Sequence, residues 1–272
     1  MKELTLKEIQ QYSLDVLLHV HEFCVAHDIP YSLAYGTLIG AVRHKGFIPW
    51  DDDIDIIMTR ENFDRFLREY QSSEDFLLVS PNDKKSYLAF ARVCDKKNSE
   101  IVTRIPWSKY KTGVWIDIFP MDSISDDEEQ HKKRWKRLYK WWEITSIARG
   151  AKADPFLHCW KKPNSVIWKK KIIFLNGSFV RLSVKQFISR ITSSKYANSS
   201  HCAQLACCDD YGFYEKKDFE EYITLEFEGH QLMVIKEYDK VLRQLYGDYM
   251  QLPPENKRKP KQSHFIKFFH KE

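Results

Sequence analysis

The chain has 272 residues, 43% of them hydrophobic and 30% charged, with a formal net charge of +5 at neutral pH. That apolar content excludes global disorder, and the length suits one large domain or two small ones. No run approaches the roughly twenty apolar residues that cross a bilayer, and the six cysteines follow no disulfide framework.

The N-terminus shows no secretory-signal pattern, so the expectation is free thiols in a reducing compartment: a cytoplasmic chain, or one peripheral at the inner face of the cell membrane. Thr5-Leu6-Lys7-Glu8 reads as a capping box that opens a helix running to about Ala26. His19, His21 and His27 fit the surface of that helix, and Asp28-Ile29-Pro30 ends it, since a residue before proline avoids helical backbone.

The stretch that follows, YSLAYGTLIGAVRHKGFIPWDDDIDIIM, holds the densest chemistry of the chain. The apolar run from Tyr31 leads into Gly36-Thr37, a pair suited to close backbone approach to a phosphate. A short helix from Thr37 to Arg43 and a basic loop, Arg43-His44-Lys45-Gly46, come next. A strand from Asp53 to Met58 would point Asp51, Asp53 and Asp55 one way, and Asp52, Ile54 and Ile56 the other. Carboxylates crowded on one face repel unless a cation sits among them, and hard oxygen ligands suit Mg²⁺ or Mn²⁺. A solvated acidic loop would leave both the preceding Gly-Thr and the apolar residues after the acids unexplained.

Thr59 can cap a helix to about Tyr70, and strand-like runs follow at Phe76–Val79, Tyr87–Cys94, Glu100–Thr103 and Val114–Phe119. That order suggests a mixed sheet with helices on one side. In the last run Asp117 stands between Ile116 and Ile118. A buried lone carboxylate is costly, so it shares a metal with Asp53 and Asp55 or pairs with Arg92 or another basic side chain. Arg92 itself, in strand context, reads either as a phosphate contact or as a surface residue. Asp122 reads as a cap leading into a helix.

From Asp126 the character changes. Residues 131–171 carry thirteen Lys/Arg against two acids, and five of the eight tryptophans: Trp135, Trp141, Trp142, Trp160 and Trp168. Such a mixture fits an anionic membrane surface, a polyanionic partner or single-stranded nucleic acid. It also fits an ordinary helical subdomain with its tryptophans inside, and this suits most of the residues. Asn176-Gly177 suggests a turn and Val180–Ile191 a helix. His201, Cys202, Cys207 and Cys208 lack the pair-and-pair spacing of structural zinc, so a helical segment with buried thiols is expected there. Near the C-terminus, Tyr222–Phe227 and Leu232–Ile235 form a hairpin turning at Glu228-Gly229. A helix over Tyr238–Tyr246, closed by Gly247, follows.

GTLIGAVRHKGFIPWDDDIDI resembles the signature of the LicD family of phosphotransferases, whose best-known members move phosphocholine from CDP-choline onto cell-surface glycans. The fukutin-related ribitol-phosphate transferases are more distant relatives. The resemblance covers residues 1–125 and about 210–258. It implies an α+β, nucleotidyltransferase-like mixed sheet flanked by helices, with residues 1–125 as catalytic core. Residues 126–209 would be a helical, basic, Trp-rich insertion, and 210–272 a hairpin and helix packed back on the core.

The turn of that fold falls on Gly36-Thr37, its metal-binding pair on Asp53 and Asp55, and its third acid on Asp117. Asp117 would also accept the acceptor hydroxyl's proton. Gly36, Thr37, Arg43, His44, Asp51 and Arg92 would contact substrate. Trp50 and Trp115 are the nearest aromatic residues for a quaternary ammonium, or else core packing. The implied cofactor is Mg²⁺ or Mn²⁺. The implied partners are a CDP-choline-type donor and a lipid-linked or surface glycan, teichoic acid or lipopolysaccharide, with no nucleic acid. The competing readings are the same core carrying another alcohol phosphate or a nucleotidyl group, and a non-catalytic basic binding module.

Overall fold

The computed structural model describes residues 2–83, 86, 88–102, 112–153, 185–192, 194–207, 211–260 and 267–271. Helix α1 (Leu6–Ala26) starts at the expected capping box: the Glu8 amide donates to Thr5 Oγ1 at 3.3 Å, and the Thr5 amide donates to Glu8 Oε2 at 2.7 Å. Then come β1 (Ser32–Leu33), α2 (Tyr35–His44), β2 (Asp55–Thr59), α3 (Arg60–Glu69), β3 (Phe76–Val79), β4 (Ala91–Asp95), β5 (Ser99–Val102) and β6 (Trp115–Ile124). The second half contributes α4 (Glu128–Ala153), β7 (His201–Gln204), β8 (Tyr214–Glu215), β9 (Tyr222–Phe227), β10 (His230–Ile235), α5 (Tyr238–Tyr246) and β11 (Lys267–His270).

Among the described residues seven strands make the main sheet, in the order β1-β2-β6-β4-β3, with β7 also on β6 and β8 on β7. Of these strands β2 and β6 run parallel and the other described pairings are antiparallel, so the sheet is mixed. β6 is long enough to change partners. Its first half pairs with β4 and its second with β7. Pro120 falls at the change. The Asp117 amide donates to the Ile54 carbonyl on the β2 side, so by alternation the Pro120 nitrogen faces the gap between β4 and β7, where a missing N–H breaks no ladder.

The two faces of the sheet differ in kind. Ile54, Ile56, Met58, Ala91, Val93, Ile116 and Ile118 pack into one core with Val16, Leu17 and Val20 of α1 and Phe63 and Phe66 of α3. The opposite face carries Ile57, Phe119 and Met121 under Leu138 of α4 and Val241 of α5. Helices therefore cover both faces, where the order of elements suggested one. On that second face, one step along β2 and β6 from the apolar cluster, alternation places Asp55, Asp117 and Arg92.

Several local expectations need correction. Helix α2 starts two residues before Thr37, at Tyr35, which takes a left-handed φ of 49° and sets its ring edge-on to Phe119 at 5.9 Å. Residues 201–204 form a strand instead of a helical segment, because the second half of β6 offers them a ladder; Cys202 is nonetheless buried. Asp122 lies inside β6 and caps no helix, and β4 begins at Ala91 where Tyr87 was expected. The β9–β10 turn falls at Glu228-Gly229, with φ of 49° and 79°, the double-positive geometry of a tight hairpin. Helix α5 has the expected bounds and closes on Gly247 at φ 67°. Asn176-Gly177, Trp160, Trp168 and Cys208 lie outside the described residues, as does the start of the helix expected from Val180. Residues 185–191 are helical. Among the described residues no helix is long and apolar enough to cross a membrane.

Candidate active site

The acidic run is shaped by its attachment to α2. The Asp55 amide donates to Thr37 Oγ1 at 3.0 Å, and the Ala34 amide donates to the Asp55 carbonyl at 3.0 Å. These bonds stitch the first turn of α2 to the first residue of β2, so regular strand starts at Asp55 and Asp51–Asp53 form its entry. Exposure alternates through that entry: Asp51, Asp53 and Asp55 are partly exposed, while Asp52 and Ile54 are buried. Gly36 leaves the Asp51 carboxylate its room here. A Cβ at this position would sit 2.6 Å from Asp51 Oδ2, so the backbone of the turn lies directly against that carboxylate.

Three side chains then stand abreast on neighbouring strands. Asp55 pairs in register with Asp117 across the parallel β2–β6 ladder, and Asp117 pairs with Arg92 across the antiparallel β6–β4 ladder. Partners in register share a face, so Asp55, Asp117 and Arg92 form a row. Arg92 grips Asp117 with two nitrogens, Nε to Oδ1 at 2.5 Å and Nη2 to Oδ2 at 3.2 Å, while its guanidinium lies 4.2 Å over the Trp115 ring. Burial works to lower the Arg92 pKa, but the charge and hydrogen bonds of Asp117 win and raise it. Asp55 goes the other way. Burial, then the negative charges of Asp53, Asp117 and Asp51, push its carboxyl well above the usual carboxylate range, against a smaller pull from Arg92.

A divalent cation fits this arrangement. One carboxylate oxygen from each of Asp51, Asp52 and Asp53 lies within 4.8 Å of the others, so Asp52, although buried and expected to point the other way, joins the group. Burial and the charges of Asp53, Asp117 and Asp51 raise the Asp55 carboxyl beside them, the frustration that a bound cation relieves. The donors are carboxylate oxygens, the set that hard ions such as Mg²⁺ or Mn²⁺ take.

The remaining expected residues are distributed less simply. Arg43 donates from Nη1 to the Tyr249 carbonyl at 2.6 Å and from Nε to His44 Nε2 at 3.0 Å, tying the end of α2 to the segment after α5. Burial lowers the His44 pKa, and the adjacent Arg43 charge lowers it further. Trp115 is core, covered by Phe268 at 5.2 Å on top of its contact with Arg92. Trp50 is partly exposed, with Arg258 5.8 Å from its ring. His201 is bonded to Asp126 at 2.7 Å, and Cys202 and Cys207 carry reduced thiols.

Sequence reasoning missed the pair of Arg60 with Asp122, held at 2.8 Å on the same strand as Asp117 but at the far end of it. The signal available was another acid two residues after Pro120, in phase with Pro120 and Ile118.

Gly-Thr turn, acidic strand entry and a cross-strand row of acid, acid and arginine together make an α+β core with a carboxylate-centred site. A family model described as LicD/FKTN/FKRP, nucleotidyltransferase domain, matches residues 28–149 and thus takes in every element of that site. Over 281 aligned positions the chain is 32% identical to lipopolysaccharide cholinephosphotransferase LicD of Haemophilus influenzae, covering 96% of this chain and 97% of that protein. The uncharacterized protein RP689 of Rickettsia prowazekii is 29% identical over 46% of this chain and 55% of its own. RT0683 of Rickettsia typhi, also uncharacterized, is 37% identical over 50% of this chain and 43% of its own. The chain belongs to the LicD family.

Proposed function

We propose that this LicD-family transferase moves phosphocholine from a CDP-choline-type donor to a hydroxyl of a surface glycan precursor of the lipopolysaccharide or teichoic acid kind, releasing CMP. The observation that carries the reading is the Asp55–Asp117–Arg92 row beside the Gly36 turn, in a chain similar over nearly its whole length to a lipopolysaccharide cholinephosphotransferase. On this reading the core is of nucleotidyltransferase type, residues 126–209 carry the basic insertion, and the enzyme works at the inner membrane surface.

Asp53 and Asp55, with Asp117, would hold Mg²⁺ or Mn²⁺. When bound, the ion neutralises charge on the donor's diphosphate and on the leaving CMP. Arg92 fixes the orientation of Asp117 by gripping both its oxygens, and their remaining lone pairs accept the proton of the attacking hydroxyl. Gly36 brings backbone close to the acidic entry, and Thr37 holds Asp55 in place through its amide.

Incubation with CDP-choline, Mg²⁺ and choline-free lipopolysaccharide tests the reading. Release of CMP with labelling of the glycan is expected, and Asp53→Asn and Asp55→Asn should each abolish it. Turnover that survives both substitutions removes the metal assignment. Pyrophosphate release from a nucleoside triphosphate would instead mark a nucleotidyl transfer on the same core.

A further inference from the structure

Between β1 and α2 the chain turns sharply at Tyr35. Ala34 before it is extended, at φ −136° and ψ 161°, and donates its amide to the Asp55 carbonyl at 3.0 Å. The Leu38 amide already returns to the Ala34 carbonyl at 3.0 Å, so the helix starts at once. The left-handed φ of 49° falls on Tyr35 and not on Gly36, which stands next to it and would take such a value without strain. A bulky side chain in that conformation is an outlier, and strained residues of this kind gather at functional sites. A strained turn from strand to helix presents the side chain at its corner clear of both elements.

Here the corner presents a phenol beside the acids. The Tyr35 ring is edge-on to Phe119 at 5.9 Å, and Phe119 follows Asp117 by two residues on the same face of β6, about 7 Å along the strand. The side chain is only partly exposed. Burial raises its pKa well above the ordinary value, and the charges of Cys207 and then Asp55 raise it further, so the hydroxyl keeps its proton. Among the described residues that hydroxyl has no hydrogen-bond partner, and Asp55 acts on it by charge alone. A tyrosine packed into a protein normally finds an acceptor for its proton. Arg92, the cation of the row, has Nε and Nη2 committed to Asp117, which leaves Tyr35 as an uncommitted donor at the Asp55 end.

We infer, on the transfer proposed above, that Tyr35 is a further substrate-binding residue whose hydroxyl donates a hydrogen bond to a phosphate oxygen of the nucleotide donor. The strained corner holds the phenol where the diphosphate meets the acids, and the ring contact with Phe119 fixes its direction.

Tyr35→Phe removes the hydroxyl and keeps both the ring on Phe119 and the backbone, so its melting temperature should match that of wild type. With Mg²⁺ and no acceptor, calorimetric titration of CDP-choline should give a Kd at least about tenfold higher for the variant, since a hydrogen bond to a charged group is commonly worth that factor or more. In turnover the KM for the glycan should stay at the wild-type value, which a general loosening of the site would not leave untouched. A variant that binds CDP-choline as wild type does overturns the inference and leaves the proposed transfer standing. Weaker binding together with a lower melting temperature would make the hydroxyl a prop of the fold, and this too overturns it. A wild type that neither binds CDP-choline nor releases CMP overturns the transfer itself, and the Tyr35 contact with it.

Discussion

Asp117 is flanked in register by Asp55 on one strand and Arg92 on the other, so its two neighbours act on it in opposite senses. Removing Arg92 leaves a carboxylate that is 6% exposed beside a second acid, and breaking one partner of such a buried pair costs about 3–5 kcal/mol. Urea titration of Arg92→Gln should show a loss of that order, and Arg92→Gln with Asp117→Asn should recover most of it. Equal losses in the single and double variants would mean the two groups are uncoupled. Asp122 supplies a pH dependence at the other end of β6. Burial, opposed by Arg60 and Arg134, lifts its carboxyl from 3.8 to about 6. A folded-state value above the unfolded one gives stability that is complete below about 4 and lost as pH climbs through about 6, by about 3 kcal/mol. The stability of wild type relative to Asp122→Asn should therefore fall between pH 4 and pH 7. A difference that stays flat would place the titration elsewhere.

Among the elements, α2 and the hairpin show how a tight helix and a distant turn hold one loop between them. The Glu228 amide donates to the Lys45 carbonyl at 2.8 Å and Glu228 Oε1 accepts from the Phe47 amide at 2.9 Å, so the hairpin tip clamps the loop that leads into Asp51. From inside, Gly40 lets the same loop close on the helix: a Cβ there would lie 2.4 Å from the Gly46 carbonyl oxygen. Glycine to alanine within a helix ordinarily gains about 1 kcal/mol. At Gly40 the sign should reverse, because the obstructing atom is backbone, and the melting temperature of Gly40→Ala should fall. A rise would show that the loop yields without cost.

On the scale of the molecule, the two ends of the chain meet under the acidic face. β11 pairs with β5, and Phe268 joins Leu4, Ile9 and Trp115 in a third core. The other neighbour of Trp115 is the Arg92 guanidinium that grips Asp117, so the C-terminal strand supports the site through two contacts. Truncating a buried phenylalanine costs about 3–5 kcal/mol, and Phe268→Ala should lose that much in chemical unfolding while slowing the CMP release proposed above. Normal CMP release at temperatures where the variant stays folded would separate the strand from the site.

What was legible in the residues was local. The Thr5 capping box, the Glu228-Gly229 turn, the bounds of α5 and the in-phase acids of Asp51–Asp55 follow from hydrogen bonds and backbone preferences that span a few positions. The partner of Asp117 did not follow from the residues. Metal and Arg92 were both open, and only the β6–β4 register brings the guanidinium to it. Likewise Cys202 is in a strand because β6 offers an edge, and Asp122 is buried because Arg60, 62 positions away, reaches it. Register and pairing depend on which strands become neighbours, a choice made by burying the whole sheet at once, and no short window of sequence contains it.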